Sequence, residues 1–332
     1  MGGRPLTNIA TAVWAWGGRI PAAGIELVRS AAALAVETGG ELGVLALGIG
    51  ARVAADTLRA AGADLVLTCE EEALDTAPGE AGLAALLASC DVLRPSLVLL
   101  PADSLGRDWA PRLGYRLGAG LVTEVTDWSL EDGRPVFQRL VFGGKAIATM
   151  RVAGGVAVAT ARPGAGRRDE PPRAGRGEVR DLGLAIEAQP NWPRLLRRQA
   201  EERQGPGLEE ARAIVSGGRG LGGPEGFIPL EQLARTLGGA VGASRAAVDE
   251  GWAPPSWQIG QTGKTVAPDL YVAVGISGAS QHLVGCSRAK TIVAINRDPE
   301  APIFDYARLG VVGDWREVLP ALTAALKEML AD

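Results

Sequence analysis

Histidine and cysteine are nearly missing from this chain: 332 residues carry one His and three Cys. A lone imidazole with no evident Ser or Cys partner leaves no plausible catalytic triad. Cys69, Cys90 and Cys286 stand far apart with no C-x-x-C pair, which excludes a zinc ribbon, a thioredoxin-like site and a disulfide-stapled scaffold and fits a reducing cytosol. Long apolar runs are lacking too. The longest, Leu42 to Ala51 and Val152 to Ala161, fall well short of the ~18 residues that span a bilayer and read as buried strands. Charge of one sign is also lacking: 34 Lys and Arg against 38 Asp and Glu give a net −4, a poor basis for nucleic-acid binding. Met1 to Thr11 holds one Arg and no sustained apolar stretch, so a targeting leader is not indicated and a cytoplasmic protein is expected.

Glycine is what the chain has in excess, 46 residues against a usual ~7%. Many tight turns or close backbone approaches follow from that. At roughly 150 residues per domain the length suggests two domains. The first, 1–162, alternates apolar runs (Ala12 to Trp16, Leu42 to Leu47, Asp64 to Leu67, Ser96 to Pro101) with helical patterns (Gly24 to Glu37, Arg52 to Ala61, Glu80 to Leu93, Arg107 to Leu117). That is an α/β domain with parallel strands. Alternating runs follow at Val122 to Leu130, Pro135 to Phe142, Lys145 to Val152 and Val156 to Arg162, with Asp132-Gly133 and Gly143-Gly144 turns making antiparallel hairpins. Residues 163–207, crowded with Gly, Pro, Arg and Glu, read as a linker with room for one short helix.

A second βα series fills 208–332, with strands expected at Ala211 to Val215, Ala240 to Ala243, Trp257 to Gly260, Leu270 to Val274, Thr291 to Ile295 and Val311 to Gly313, and a closing helix over Val318 to Leu330. Six strands in so short a span predict a doubly wound parallel sheet, whose ligands bind beyond the carboxyl ends of the strands. The residues just after each strand are therefore the informative ones. They are the glycine loop Ser216 to Gly223, then Ser244-Arg245, Gln261 to Thr265, Gly275 to His282, Asn296 and Asp314.

The glycine loop contains G-x-G-x-x-G at Gly218, Gly220 and Gly223, which is either a set of turn glycines or a phosphate cradle ahead of a helix. Where an NAD site wants an acidic residue at the second strand end, this chain has Ser244 and Arg245. That argues against NAD and keeps an NADP-dependent oxidoreductase open as the alternative. Ser277 to Ser280 form a second small-residue loop, so a dinucleotide is favoured over a mononucleotide. His282 lies within a turn of it and is either part of the site or a hydrogen-bonded helix residue. Lys264 lacks the P-loop spacing. In the first domain, Ser104, Arg107, Asp108 and Arg112 read as a solvated helix start. A nucleotide-sensing or scaffold subunit is the third reading, and the complete set of polar strand ends disfavours it.

The segments Val215 to Gly220, Val241 to Asp249, Gln261 to Lys264, Val274 to His282, Ala294 to Asn296 and Asp298 to Phe304 together resemble the α subunit of electron-transfer flavoproteins. The resemblance implies a Rossmann-like C-terminal domain that binds FAD and an N-terminal domain packed on a β subunit. It also implies a heterodimer whose β subunit carries AMP or a second FAD. Such a protein is a carrier rather than an enzyme, passing single electrons from dehydrogenases, such as the acyl-CoA dehydrogenases of fatty acid β-oxidation, to a quinone oxidoreductase or similar acceptor. By position, the FAD contacts it implies are Arg219, Ser244, Arg245, Gln261, Thr262, Ser277, Gly278, Ala279, Ser280, Gln281, His282, Asn296, Asp314 and Trp315. Trp315 stands where a smaller aliphatic residue is expected. Arg245 is implied to lie against the isoalloxazine, Thr262 near N5 and His282 near the C2 carbonyl, with Asn296 and Asp314 toward the adenosine. A guanidinium and an imidazolium there would favour the negative charge that one-electron reduction puts on the N1–C2=O edge.

Overall fold

Strands β1 (Asn8–Trp14) and β2 (Glu41–Leu47) are buried along all but their first residue, so both faces of the sheet they build must be covered. The structure, a computed structural model, describes residues 8–144, 146–166, 177–197 and 206–331. They fall into two compact units, the described parts of 1–140 with 147–200 and those of 141–146 with 201–332.

In the first unit, β1, α1 (Ala22–Thr38), β2, α2 (Ala51–Ala60), β3 (Leu65–Cys69), α3 (Glu72–Thr76), α4 (Pro78–Leu93), β4 (Leu97–Pro101) and α5 (Ser104–Leu117) form the expected βα series. After them come β5 (Gly120–Glu131), β6 (Arg134–Val141), β7 (Ala146–Met150), β8 (Ala157–Ala161) and β9 (Glu178–Asp181). Together the strands make a nine-stranded sheet ordered β7-β6-β5-β8-β4-β1-β2-β3-β9. Local chemistry sets the breaks. Gly39, at φ 66°, ends α1 and lets the Gly40 N–H reach the Ala35 carbonyl at 2.9 Å. Asp103 starts α5 by accepting the Gly106 N–H at 2.7 Å, while burial pushes its carboxyl pKa up. Arg107 pairs with Glu124 at 2.9 Å and Arg112 with Asp108 at 3.0 Å, as suits a solvated helix start.

The β5–β6 hairpin turns at Asp132 and Gly133, both at positive φ, 51° and 70°. The run Val156 to Arg162, expected within the same antiparallel series, is different. It contributes β8, which lies between β4 and β5 and runs parallel to both. All of its residues, AVATA, are buried, and a strand covered on both faces carries no alternation to read. The stretch expected as a linker carries β9, paired in parallel with β3, and sets Leu182, Leu184, Ile186 and Trp192 against the core. No helix occurs among its described residues, and 167–176 and 198–205 lie outside the description.

The second unit holds β10 (Ala213–Gly217), α6 (Phe227–Thr236), β11 (Ala240–Ala243), α7 (Arg245–Asp249), β12 (Leu270–Val274), α8 (Ser280–Cys286), β13 (Thr291–Asn296), β14 (Leu309–Val312) and α9 (Trp315–Ala331). Its strands are all parallel, in the order β11-β10-β12-β13-β14. Successive residues go to opposite cores. Ile214, Tyr271, Ala273 and Ala294 meet Leu283 and Cys286 of α8, whereas Val215, Val272, Val274 and Ile295 meet Leu230 of α6 and Leu319 of α9. This is the doubly wound sheet expected, with five strands instead of six. Residues 257–260 are not a ladder strand: Pro255–Trp257 is a 3-10 turn, and Gln258 and Ile259 make single bridges to Ala243 and Lys264. No helix among the described residues is long and apolar enough to cross a membrane.

Candidate functional site

The strand order reverses between β10 and β12, and in an open parallel sheet the crevice above that point receives ligands. The two loops leaving these strands touch through bare backbone. The Gly218 N–H reaches the Val274 carbonyl and the Gly220 N–H the Gly275 carbonyl, each at 2.9 Å. A Cβ on Gly218 would stand 2.2 Å from the Gly275 oxygen. The glycine motif therefore serves contact between loops, and it does not open a helix. Turns at Arg219–Leu221 and Pro224–Gly226 intervene before α6, so a dinucleotide cradle formed by a helix N-terminus directly after the motif finds no support.

Above these strand ends lies a cleft of about 700 Å³, within the range of small-molecule and cofactor sites. Arg219, Ser244, Arg245, Gln261, Thr262, Ser277, Ala279, Gln281, His282 and Asn296 line it, so separate strand-end loops bring most of the expected residues together. Gly278, Ser280, Asp314 and Trp315 are not among the lining residues. Gly278, at φ 88°, presses on the neighbouring loop, where a Cβ would come within 2.3 Å of the Ile303 nitrogen. Ser280 is the first residue of α8. Asp314 accepts the Arg316 N–H at 3.0 Å and pairs with Arg297, contacts that hold its carboxyl below the usual range. Trp315 donates from Nε1 to the Gly220 carbonyl at 3.3 Å. These four residues do not line the cleft, and the polar atoms of Asp314 and Trp315 are engaged by neighbours within the protein.

The lining side chains are themselves held. Ser244 caps α7, its Oγ accepting the Ala247 N–H at 3.3 Å. Arg245 donates from Nε to Asp249 at 3.2 Å. Gln258 donates from Nε2 to Thr262 Oγ1 at 2.9 Å. The loop carrying Gln261 and Thr262 is fastened to α8 by the Gln261 N–H on the Gln281 carbonyl (2.7 Å) and the Val266 N–H on the Gly285 carbonyl (2.8 Å). Gly285 makes that approach possible, since a Cβ there would lie 2.3 Å from the Gly260 nitrogen. Thr262 and His282 share a wall for this reason. Asn296 donates from Nδ2 to the Ile276 carbonyl at 2.9 Å and accepts the Asp298 N–H at 3.1 Å.

His282 is only 7% exposed. Its Nε2 lies 2.8 Å from the Tyr271 hydroxyl, while Nδ1 is buried without a hydrogen-bond partner. Burial pulls the imidazole pKa down to about 4, opposed by a contact with the Ile259 backbone that falls short of full hydrogen-bond geometry. The ring is therefore neutral at physiological pH, which corrects the imidazolium expected from the sequence. Asp249, Gln258, Asp298 and Tyr271 were absent from the expected set. The i,i+4 spacing of Arg245 and Asp249 was a readable signal; the side chain that Tyr271 would meet inside the sheet was not.

Residues 207–287 match the family model described as electron transfer flavoprotein FAD-binding domain, and residues 16–186 match that of the electron transfer flavoprotein domain. The chain is 38% identical over 318 residues to the electron transfer flavoprotein subunit alpha of Thermoanaerobacterium thermosaccharolyticum, an alignment covering 94% of this chain and 95% of that protein. The protein of the same name from Paracoccus denitrificans is 40% identical over 296 residues, 89% and 93% of the two chains. That from Mycobacterium tuberculosis is 41% identical over 304 residues, 91% and 92%. The cleft residues from Arg219 to His282 lie inside the segment matched to the FAD-binding domain; Asn296, Asp314 and Trp315 lie beyond it.

Proposed function

The chain belongs to the electron transfer flavoprotein family, among its α subunits, and on that premise we propose that the cleft holds FAD and that the protein carries single electrons. It takes them from dehydrogenases, acyl-CoA dehydrogenases among them, and delivers them to a quinone oxidoreductase or similar acceptor. It works as one half of a heterodimer, with 208–332 as the FAD domain, 1–162 packed on the β subunit, and AMP or a second FAD in that partner.

One observation carries the reading. A cofactor-sized cleft gathers cationic and hydroxyl donors from separate strand ends, and the buried His282 is part of its wall. FAD supplies the one-electron chemistry when bound. The chain's residues would bind and bias it: Arg219 and Arg245 bring positive charge to the cleft, and Thr262 and His282 bring neutral donors. None is needed as a nucleophile or general base, which suits a carrier. The NADP alternative loses ground because Gly218 and Gly220 of the glycine motif pack on the Gly275 backbone.

Co-expression with the β subunit tests the proposal. The purified complex should be yellow, with one FAD assigned to this chain after the partner's nucleotide is counted. Colourless protein after incubation with excess FAD would reject the reading.

A further inference from the structure

Beneath the cleft wall the buried polar groups form a string. Tyr271, fully buried on β12, lies with Oη 2.8 Å from Nε2 of His282 on α8. The phenol keeps its proton, since burial raises its pKa well above the usual value. Along that contact either Oη–H donates to a bare Nε2, or Nε2–H donates to Oη and the phenol proton goes elsewhere. Other acceptors for that proton are poor. The Cys286 thiol is a weak acceptor and itself donates to the His282 carbonyl at 3.8 Å, and Ser216 Oγ, which acts on the phenol, does so short of full hydrogen-bond geometry. A neutral imidazole nitrogen is the strongest acceptor present, and once it accepts, the ring's own proton sits on Nδ1.

We infer that Tyr271 is a positioning residue: its hydroxyl donates to Nε2, fixes His282 in the Nδ1–H form, and leaves a neutral N–H on a residue of the cleft wall, which an acceptor atom of the bound flavin can take. The last step rests on the proposed FAD site; the position of the ring proton does not. The ionisable side chains that act on this pair are Tyr271 from β12 and Cys286 from α8, both held protonated by burial, so the ring works as an uncharged donor. The logic is that of a histidine whose second nitrogen is set by the bond the first one makes.

The chain has one histidine, so ¹⁵N-histidine labelling of the full chain reports the two ring nitrogens of His282 alone. At about pH 7 the proton should be on Nδ1, with Nε2 in the bare, accepting state. Tyr271→Phe keeps the ring's bulk and should move most of the population to Nε2–H. A parent ring protonated on Nε2, or a variant spectrum identical to the parent's, overturns the inference. Should Tyr271→Phe fail to fold, two replacements of His282 decide the matter in FAD-loaded protein. Asn places its N–H near the Nδ1 position and Gln near Nε2. His282→Asn should bind FAD within about threefold of the parent and His282→Gln on the order of tenfold more weakly. Equal or reversed affinities overturn the inference. If the parent takes up no FAD, the cleft reading fails by itself, and the ring proton still decides the role of Tyr271.

Discussion

Arg245 donates from Nε to Oδ2 of Asp249, 3.2 Å away and one turn further along α7, and both side chains line the cleft. The pair is more than half exposed, at 68% and 62%, so water screens it and its contribution to stability is at most about 1 kcal/mol. Its sign matters more than its strength, because the cation offered to a ligand comes with a carboxylate attached.

Opposite effects on redox potential follow from the two halves of that pair. Arg245→Ala removes the positive charge and should lower the first reduction potential of bound flavin by on the order of 59 mV. Asp249→Asn leaves the cation unopposed and should raise it by roughly 20–40 mV, the equivalent of ~0.5–1 kcal/mol. Spectroelectrochemical titration of the two variants reads both signs. Shifts in the same direction, or none, would remove the pair from this role.

Acid should weaken the fold through His282. Its folded pKa of about 4 lies below the unfolded value of 6.5, so between those values the unfolded chain binds more protons and stability rises with pH. The stabilisation is complete above about pH 6.5 and disappears as pH falls toward 4, an upper bound of roughly 3 kcal/mol. Urea unfolding of the parent and of His282→Asn at about pH 7 and about pH 4.5 isolates this group from the carboxylates common to both. The parent should lose more stability than the variant on acidification. Parallel losses would show that the buried imidazole is not the group responsible.

What could be read in advance divides by the kind of force involved. The runs that become β10, β12 and β13 are short, apolar and followed by small or polar residues, so local pattern locates both the sheet and the edge that carries the cleft. The same logic fails for Trp257 to Gly260, where the 3-10 turn Pro255–Trp257 takes the first residue and only single bridges to Ala243 and Lys264 follow. It also fails at β8, whose burial on both faces erases the period that would distinguish a central parallel strand from a hairpin arm. Charge state is a third case. Nothing near His282 in the sequence announces that Tyr271 lies against it, and burial by residues distant in the chain makes the ring neutral. Asp314 and Trp315 stand at a strand end as expected, yet the Arg316 N–H and the Gly220 carbonyl use their polar atoms.

Backbone contact between the two loops at the strand reversal should be intolerant of any side chain. A Cβ on Gly218 meets the Gly275 oxygen at 2.2 Å, and neither partner is the end of a flexible side chain. Gly218→Ala should cost on the order of 3 kcal/mol and reshape the cleft floor. Gly238→Ala is the control: its φ of +61° is unfavourable for Ala, but nothing lies within 4 Å, so the cost should be about 1 kcal/mol with ligand binding unchanged. Denaturant midpoints in the same range for both variants would mean that the loop contact is not needed.

The hydroxyl of Thr262 is aimed by a neighbour four residues earlier. Gln258 donates from Nε2 to Thr262 Oγ1 at 2.9 Å, so the threonine oxygen already accepts and its proton is left to donate into the cleft. Gln258→Ala releases the hydroxyl to rotate and should weaken FAD binding by roughly threefold. Gln258→Glu is the sharper test because it keeps the shape and reverses the polarity. An ionised carboxylate accepts only, so it would claim the Thr262 proton and turn the lone pairs of Oγ1 toward the ligand. Its affinity for FAD should therefore fall below that of Gln258→Ala and approach that of Thr262→Val, on the order of tenfold down. If the glutamate variant instead bound FAD as well as the parent, the direction of the Gln258–Thr262 bond would not govern the donor, and Thr262 would have to be oriented by the ligand itself.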